Sequence, residues 1–122
     1  MKVRHWLPPL AWAGVIVFAT SVPTTMVPRQ LGPFDKVAHF TMYAVLAGLL
    51  VTAVREQRAL TKALIVTVLG VAVFGAVDEW HQRFIPGRST EFADWVADAF
   101  GGSTGALTAS LLIPRWFKRT HP

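Results

Sequence analysis

Four apolar stretches constrain this chain more than any other feature. They cover residues 7–22, 37–54, 61–77 and 95–113. A helix needs about 20 mostly apolar residues, within a range of about 17–25, to cross a bilayer. The second and fourth stretches meet that length, and the first and third meet it with their flanking residues. Because the alternating pattern of barrel strands does not occur, the sequence predicts an all-α bundle of four transmembrane helices.

The composition favours an integral membrane protein over a soluble globule. Of 122 residues, 52% are hydrophobic and 16% are charged, and the length fits a single domain over residues 1–122. The absence of cysteine excludes disulfides, thiol catalysis and cysteine metal sites. The net charge of +5 does not indicate nucleic-acid binding. The basic residues flank apolar stretches and form no basic run with interleaved aromatic residues.

The distribution of basic residues predicts the orientation in the membrane. Both terminal segments and the loop after the second stretch hold eight of them, namely Lys2, Arg4, Arg55, Arg58, Lys62, Arg115, Lys118 and Arg119. The two loops on the opposite side hold four, namely Arg29, Lys36, Arg83 and Arg88. Lysine and arginine in short loops favour the cytoplasmic side. We therefore expect both termini in the cytoplasm.

The first apolar stretch has an alternative interpretation. Lys2 and Arg4 precede it, and it ends in residues 19–21, Ala-Thr-Ser, which resemble a signal-peptide cleavage site. The stretch is longer than most signal-peptide cores, which favours a retained helix. The topology of the remaining chain is the same in both cases.

Two polar clusters lie at the ends of apolar stretches, on the side opposite the termini. The first holds Asp35, Lys36, His39 and Tyr43, and the second holds Asp78, Glu79, His81, Gln82, Arg88 and Asp94. Ionisable residues at the margin of a membrane are costly and therefore indicate function. The second and fourth helices begin on this side and the third ends there. We therefore expect the two clusters to converge.

The local spacing adds detail to these clusters. Asp35, His39 and Tyr43 recur every four residues and so share one helix face, although Asp35 is also suited to an N-cap. Asp78 and Glu79 either end the third helix, where they oppose its dipole, or lie inside a helix that continues to about Phe84. We expect Asp98, one turn beyond Asp94, to face the bundle interior.

A stripe of small residues follows in the fourth stretch. Gly101, Gly105 and Ala109 recur every four residues, which lets two helices approach closely. We expect this stripe to pack within the bundle. The alternative is a homodimer formed through Gly101 and Gly105.

These residues together resemble the VanZ-like family, membrane proteins named for a teicoplanin-resistance protein. Residues 35–40, Asp-Lys-Val-Ala-His-Phe, with Tyr43, resemble the family's Asp-Lys-x-x-His-Phe motif. Its second motif is matched by residues 78–82, Asp-Glu-Trp-His-Gln, by Pro-Gly-Arg at 86–88 and by Asp94. The family often has Asn where this chain has Asp98. The resemblance implies a four-helix protein of the bacterial inner membrane and no settled reaction.

Three functions remain open from the sequence. The first is binding of a lipid headgroup, a lipid-linked envelope component or a glycopeptide, with a role in antibiotic resistance or envelope maintenance. Its candidate contacts are Asp35, Lys36, Tyr43, His81, Gln82, Arg88 and Asp94. The second is a membrane-embedded enzyme that uses acid–base chemistry or a divalent metal, with His39, Asp78 and Glu79 as catalytic candidates. The third is a transporter or channel subunit, which the short chain disfavours.

Overall fold

The computed structural model describes residues 3–22, 32–87 and 91–120, with side chains at 4–22, 36–87 and 91–112. A short 3₁₀ helix, Val3–His5, precedes α1, Leu7–Ser21. The longer helices are α2, Gly32–Val54, α3, Leu60–Gln82, and α4, Phe92–Thr120. Within these ranges the chain forms no strand, so the predicted all-α class is confirmed.

Two helices are long and apolar enough to cross a membrane, judged by length and composition over the described residues. They are α2, through Lys36–Val54, and α3. The sequence predicted four spanning helices, of which the second and fourth stretches were long enough without their flanking residues. The third qualifies because its helix extends to Gln82, whereas Asp94 and Asp98 make the start of α4 more polar. α1 is a shorter apolar helix of 15 residues.

The start of α2 differs from the predicted one, and the end of α3 decides between the two alternatives for Asp78 and Glu79. α2 begins at Gly32, so Asp35 lies inside its first turn and is not the N-cap. Its side chain lies outside the described residues. α3 continues to Gln82, so Asp78 and Glu79 lie within the helix, as in the second of the two sequence alternatives.

α2 and α4 form the most extensive helix pair, and glycines set their separation. A Cβ atom at Gly101 would lie 2.2 Å from the carbonyl oxygen of Phe40, and one at Gly105 would lie 2.0 Å from that of Ala44. Real Cβ contacts essentially never fall under 3.0 Å. Both glycines therefore pack against α2 of the same chain, as the within-bundle interpretation expected. The homodimer alternative stays untested.

The surface of the helices is largely apolar. Phe18, Leu69, Val73, Phe100 and Leu111 are all more than half exposed. Helices that are apolar on their outer faces as well as their inner ones are typical of proteins surrounded by lipid. The buried side of the bundle is apolar around Ile16, Leu46 and Val51 and becomes polar toward one end.

Two tryptophan side chains form hydrogen bonds between helices. The indole N–H of Trp12 on α1 donates to the carbonyl oxygen of Met42 on α2 at 2.8 Å. That of Trp95 on α4 donates to the carbonyl oxygen of Ala72 on α3 at 2.9 Å. These bonds help to fix the outer helices beside the α2–α4 pair.

Candidate functional site

Polar side chains from all four helices meet at one end of the bundle. The buried members are Thr20 on α1, His39 and Tyr43 on α2, Asp78, Glu79 and Gln82 on α3, and Asp94 and Asp98 on α4. Four of them are carboxylates, and none of the eight is more than 4% exposed. Buried charge is costly unless it is paired, hydrogen-bonded or bound to a metal. The hydrogen-bond and ion-pair partners of these four acids therefore determine what the site can bind.

Asp98 holds His39 from the neighbouring helix. Its Oδ1 lies 2.8 Å from His39 Nδ1, although the two residues are 59 positions apart. The other oxygen, Oδ2, has no hydrogen-bond partner among the described residues. A Cβ atom at Gly75 would lie 3.2 Å from that oxygen, so the glycine makes room for the carboxylate beside α3. The expectation that Asp98 faces the bundle interior agrees with this geometry.

Asp78 joins three helices. Its Oδ1 accepts a hydrogen bond from the hydroxyl of Thr20 at 2.8 Å, and its Oδ2 accepts from Tyr43 at 3.3 Å. The Gln82 amide donates to the same Oδ2 at 3.4 Å, and His81 Nδ1 lies 3.8 Å from Oδ1. Asp78 is thus a carboxylate with neutral donors on both oxygens.

Glu79 faces the α2–α4 pair on the adjacent side of α3. It accepts a hydrogen bond from the amide of Gln82 at 3.4 Å and another from the backbone of Glu91. One ligand atom from each of Glu79, His39 and Asp94 lies within 4.8 Å of the other two. We call these three residues the His39 triad. They are the described residues that can hold a metal ion.

Lys36 lies at the rim of the site and pairs with two acids. Its ammonium group donates to Asp94 Oδ1 and, at 2.8 Å, to Glu91 Oε2. The hydrogen bond from Lys36 holds the pKa of the exposed Glu91 carboxyl below its ordinary value. The Lys36 side chain is 41% exposed, so it connects the buried acids to the surface.

The predicted site residues divide into three groups. His39, Tyr43, Asp78, Glu79, Gln82 and Asp94 are brought together in the buried site. Lys36 lies at the rim, and His81 is half-buried beside Asp78. The side chain of Asp35 and the whole of Arg88 lie outside the described residues. Sequence reasoning missed Thr20, whose only signal was a hydroxyl at the end of an apolar helix, and Gly75, which had no local signal.

Comparison with known proteins decides the family. The family model described as VanZ/LLP1 matches residues 4–113. The chain belongs to the VanZ/LLP1 family. This confirms the resemblance drawn from the two motifs. Neither the curated proteins nor the solved structures contain a match to the chain.

The family match bears on the site and on the class of protein. Residues 4–113 include every described member of the site, from Thr20 to Asp98. VanZ/LLP1 proteins are membrane-associated, in agreement with the two apolar helices. In this VanZ/LLP1 protein the site offers an imidazole oriented by a carboxylate, further acids and a cation at the rim. Such groups can bind a polar ligand, transfer protons or hold a metal.

Proposed function

We propose that this VanZ/LLP1 protein is a bacterial inner-membrane protein that binds the polar group of a lipid or lipid-linked envelope component. Its four helices cross the membrane with both termini in the cytoplasm, so the site opens on the outer side. The observation that carries the proposal is the burial of eight polar side chains at one end of an otherwise apolar bundle. Ionisable groups at membrane depth are costly and therefore mark functional sites.

The chemistry of the site fits a headgroup with both anionic and donor atoms. Lys36, at the rim, and Arg88, which lies outside the described residues, would supply cations for a phosphate or carboxylate. Asp35, Tyr43, His81, Gln82 and Asp94 supply hydrogen-bonding groups for hydroxyls or amines. The exposed apolar faces of the helices offer a surface along which a lipid tail can lie.

A membrane-embedded acid–base enzyme is the second candidate. The observation that favours it is the contact between His39 and Asp98, because a carboxylate bound to Nδ1 orients a histidine that acts as a base. Glu79 lies beside this histidine and is a second proton-transfer group. Asp78 was also a catalytic candidate from the sequence. Because it is hydrogen-bonded to neutral donors on α1 and α2, we assign it the structural role of joining these helices to α3.

A lipid comparison tests the binding proposal. Lipids that co-purify with the wild-type protein are identified by mass spectrometry beside those of Lys36→Met and Glu79→Gln. Gln57→Ala, in the exposed loop between α2 and α3, is the matched control. We expect one class of polar lipid to be enriched with wild type and control and depleted in the site variants. Equal lipid content in all four proteins would contradict the proposal.

Two further comparisons separate the candidates. A lipid or lipid-linked species that is converted in cells with wild type, and not with His39→Ala, favours the enzyme. Teicoplanin susceptibility tests the resistance role, and we expect expression of wild type to lower it. Unchanged susceptibility with retained lipid binding would remove the resistance role and leave envelope maintenance.

A further inference from the structure

We propose that the His39 triad binds a divalent metal ion and that Asp98 positions its histidine ligand. The triad brings one residue from each of α2, α3 and α4 together, with the ligand atoms within 4.8 Å of one another. All three residues are at most 4% exposed. A group of acids on a solvated surface would not include a buried imidazole from another helix, so the composition of the triad favours a metal site.

The types of donor indicate the class of ion. One imidazole nitrogen and two carboxylates suit Zn²⁺ or Mn²⁺ better than Ca²⁺ or Mg²⁺, which prefer oxygen ligands alone. Three protein ligands leave one position open, as in catalytic zinc sites. Ligands about 2.1 Å from a tetrahedral ion lie about 3.4 Å apart. To bind an ion in this geometry, ligand atoms that are up to 4.8 Å apart must move closer together.

The contact between His39 and Asp98 is the second observation that points to a metal. Metal-bound histidines donate their other ring N–H to a carboxylate or carbonyl, which fixes the tautomer and orients the ring. Asp98 Oδ1 lies 2.8 Å from Nδ1, and an ionised carboxylate there favours the tautomer with its proton on Nδ1 and its lone pair on Nε2. Asp98 is fully buried, and its Oδ2 lacks a partner among the described residues. The carboxylate is therefore held in the interior chiefly by this histidine.

The charge of the site favours a bound cation. Asp78, Glu79, Asp94 and Asp98 are four buried carboxylates. Within the described residues, Lys36 is the ammonium group in contact with them, and it divides its hydrogen bonds between Asp94 and the exposed Glu91. A divalent ion on the triad would offset the remaining negative charge where solvent is excluded.

A bound ion would also deepen the proposed function. Its open position can accept an oxygen of a phosphate or carboxylate, which assigns the metal to the anionic part of the headgroup. That step rests on the proposed function, whereas metal binding by the triad does not. The two can therefore fail separately.

Metal titration of the full-length protein in detergent tests the proposal. The chelator-treated protein is titrated with Zn²⁺ and, separately, with Mn²⁺, and its bound metal is measured after desalting. We expect one ion per chain in wild type and a rise in its melting temperature on loading. Glu79→Gln and Asp94→Asn should lose the site, and Asp98→Asn should bind about 10–100-fold more weakly. Glu56→Gln, at the opposite end of the bundle, should match wild type.

Each outcome bears on the proposal. Folded wild-type protein that binds neither ion would overturn it, as would equal binding by wild type and both triad variants. If one triad variant fails to fold, the other and Asp98→Asn still decide, because they alter different helices or a residue outside the triad. Wild-type metal binding without headgroup binding would uphold the metal site and contradict the proposed function.

Discussion

His39 Nδ1 on α2 lies 2.8 Å from Asp98 Oδ1 on α4, and neither side chain is more than 2% exposed. The pair links the two helices that pack most closely, at the end where the polar site lies. The effect of this pair on stability has a part from the shape of the Asp98 side chain and a part from its charge. Asp98→Asn separates the two, because asparagine keeps the shape and removes the charge.

We expect Asp98→Ala to destabilise the protein by about 1–3 kcal/mol, because it removes a buried hydrogen bond between the carboxylate and the imidazole of His39. Asp98→Asn keeps an oxygen at the same place and should cost less. Thermal unfolding in detergent measures both. If the alanine variant melts like wild type, the hydrogen bond contributes nothing to the stability of the bundle.

The glycines of α4 give the second prediction. Gly101→Ala and Gly105→Ala should each destabilise the α2–α4 pair by about 3 kcal/mol or more, because their Cβ atoms would overlap backbone atoms of Phe40 and Ala44. Leucine at either position should prevent assembly of the bundle. Gly14→Ala is the control, since nothing lies within 4 Å of its Cβ position. Equal melting temperatures for the three alanine variants would contradict the observed packing.

Thr20 provides the third prediction. Thr20→Val keeps the shape of the side chain and removes the hydroxyl that donates to Asp78 at 2.8 Å. We expect a loss of about 1–3 kcal/mol, because a buried carboxylate loses a donor. The control is Thr41→Val, whose exposed hydroxyl donates to the carbonyl oxygen of Val37 on its own helix. Equal effects of the two substitutions on thermal unfolding would show that α1 is not held through Asp78.

Membrane topology is the fourth prediction. Gln57→Cys and Arg83→Cys introduce thiols into exposed positions of a chain that has no cysteine. An impermeant thiol reagent added outside intact cells should label Arg83→Cys and spare Gln57→Cys, because basic residues favour the cytoplasmic side. Lysis should expose both thiols. Labelling of Gln57→Cys in intact cells would reverse the proposed orientation.

The sequence predicted the helices and most of the buried site, because both follow from local patterns. His39 and Tyr43 share a face through spacing alone, and the motifs around them identify the family. The partners of those residues could not be predicted in this way. The bond from Thr20 to Asp78 and the space that Gly75 leaves for Asp98 depend on how helices rotate against one another, which no local spacing encodes.

The distance along the chain between His39 and Asp98 has a consequence for biosynthesis. Under the proposed topology, α2 and α3 enter the membrane while α4 is still inside the ribosome or not yet made. His39 then lacks its contact with Asp98, and Glu79 lacks its hydrogen bond from the backbone of Glu91. Water cannot replace such a bond in hydrocarbon, so the missing α4 contacts are costly there. Release of the early helices into lipid should therefore be delayed until α4 arrives, so the insertion machinery has to retain a half-made bundle.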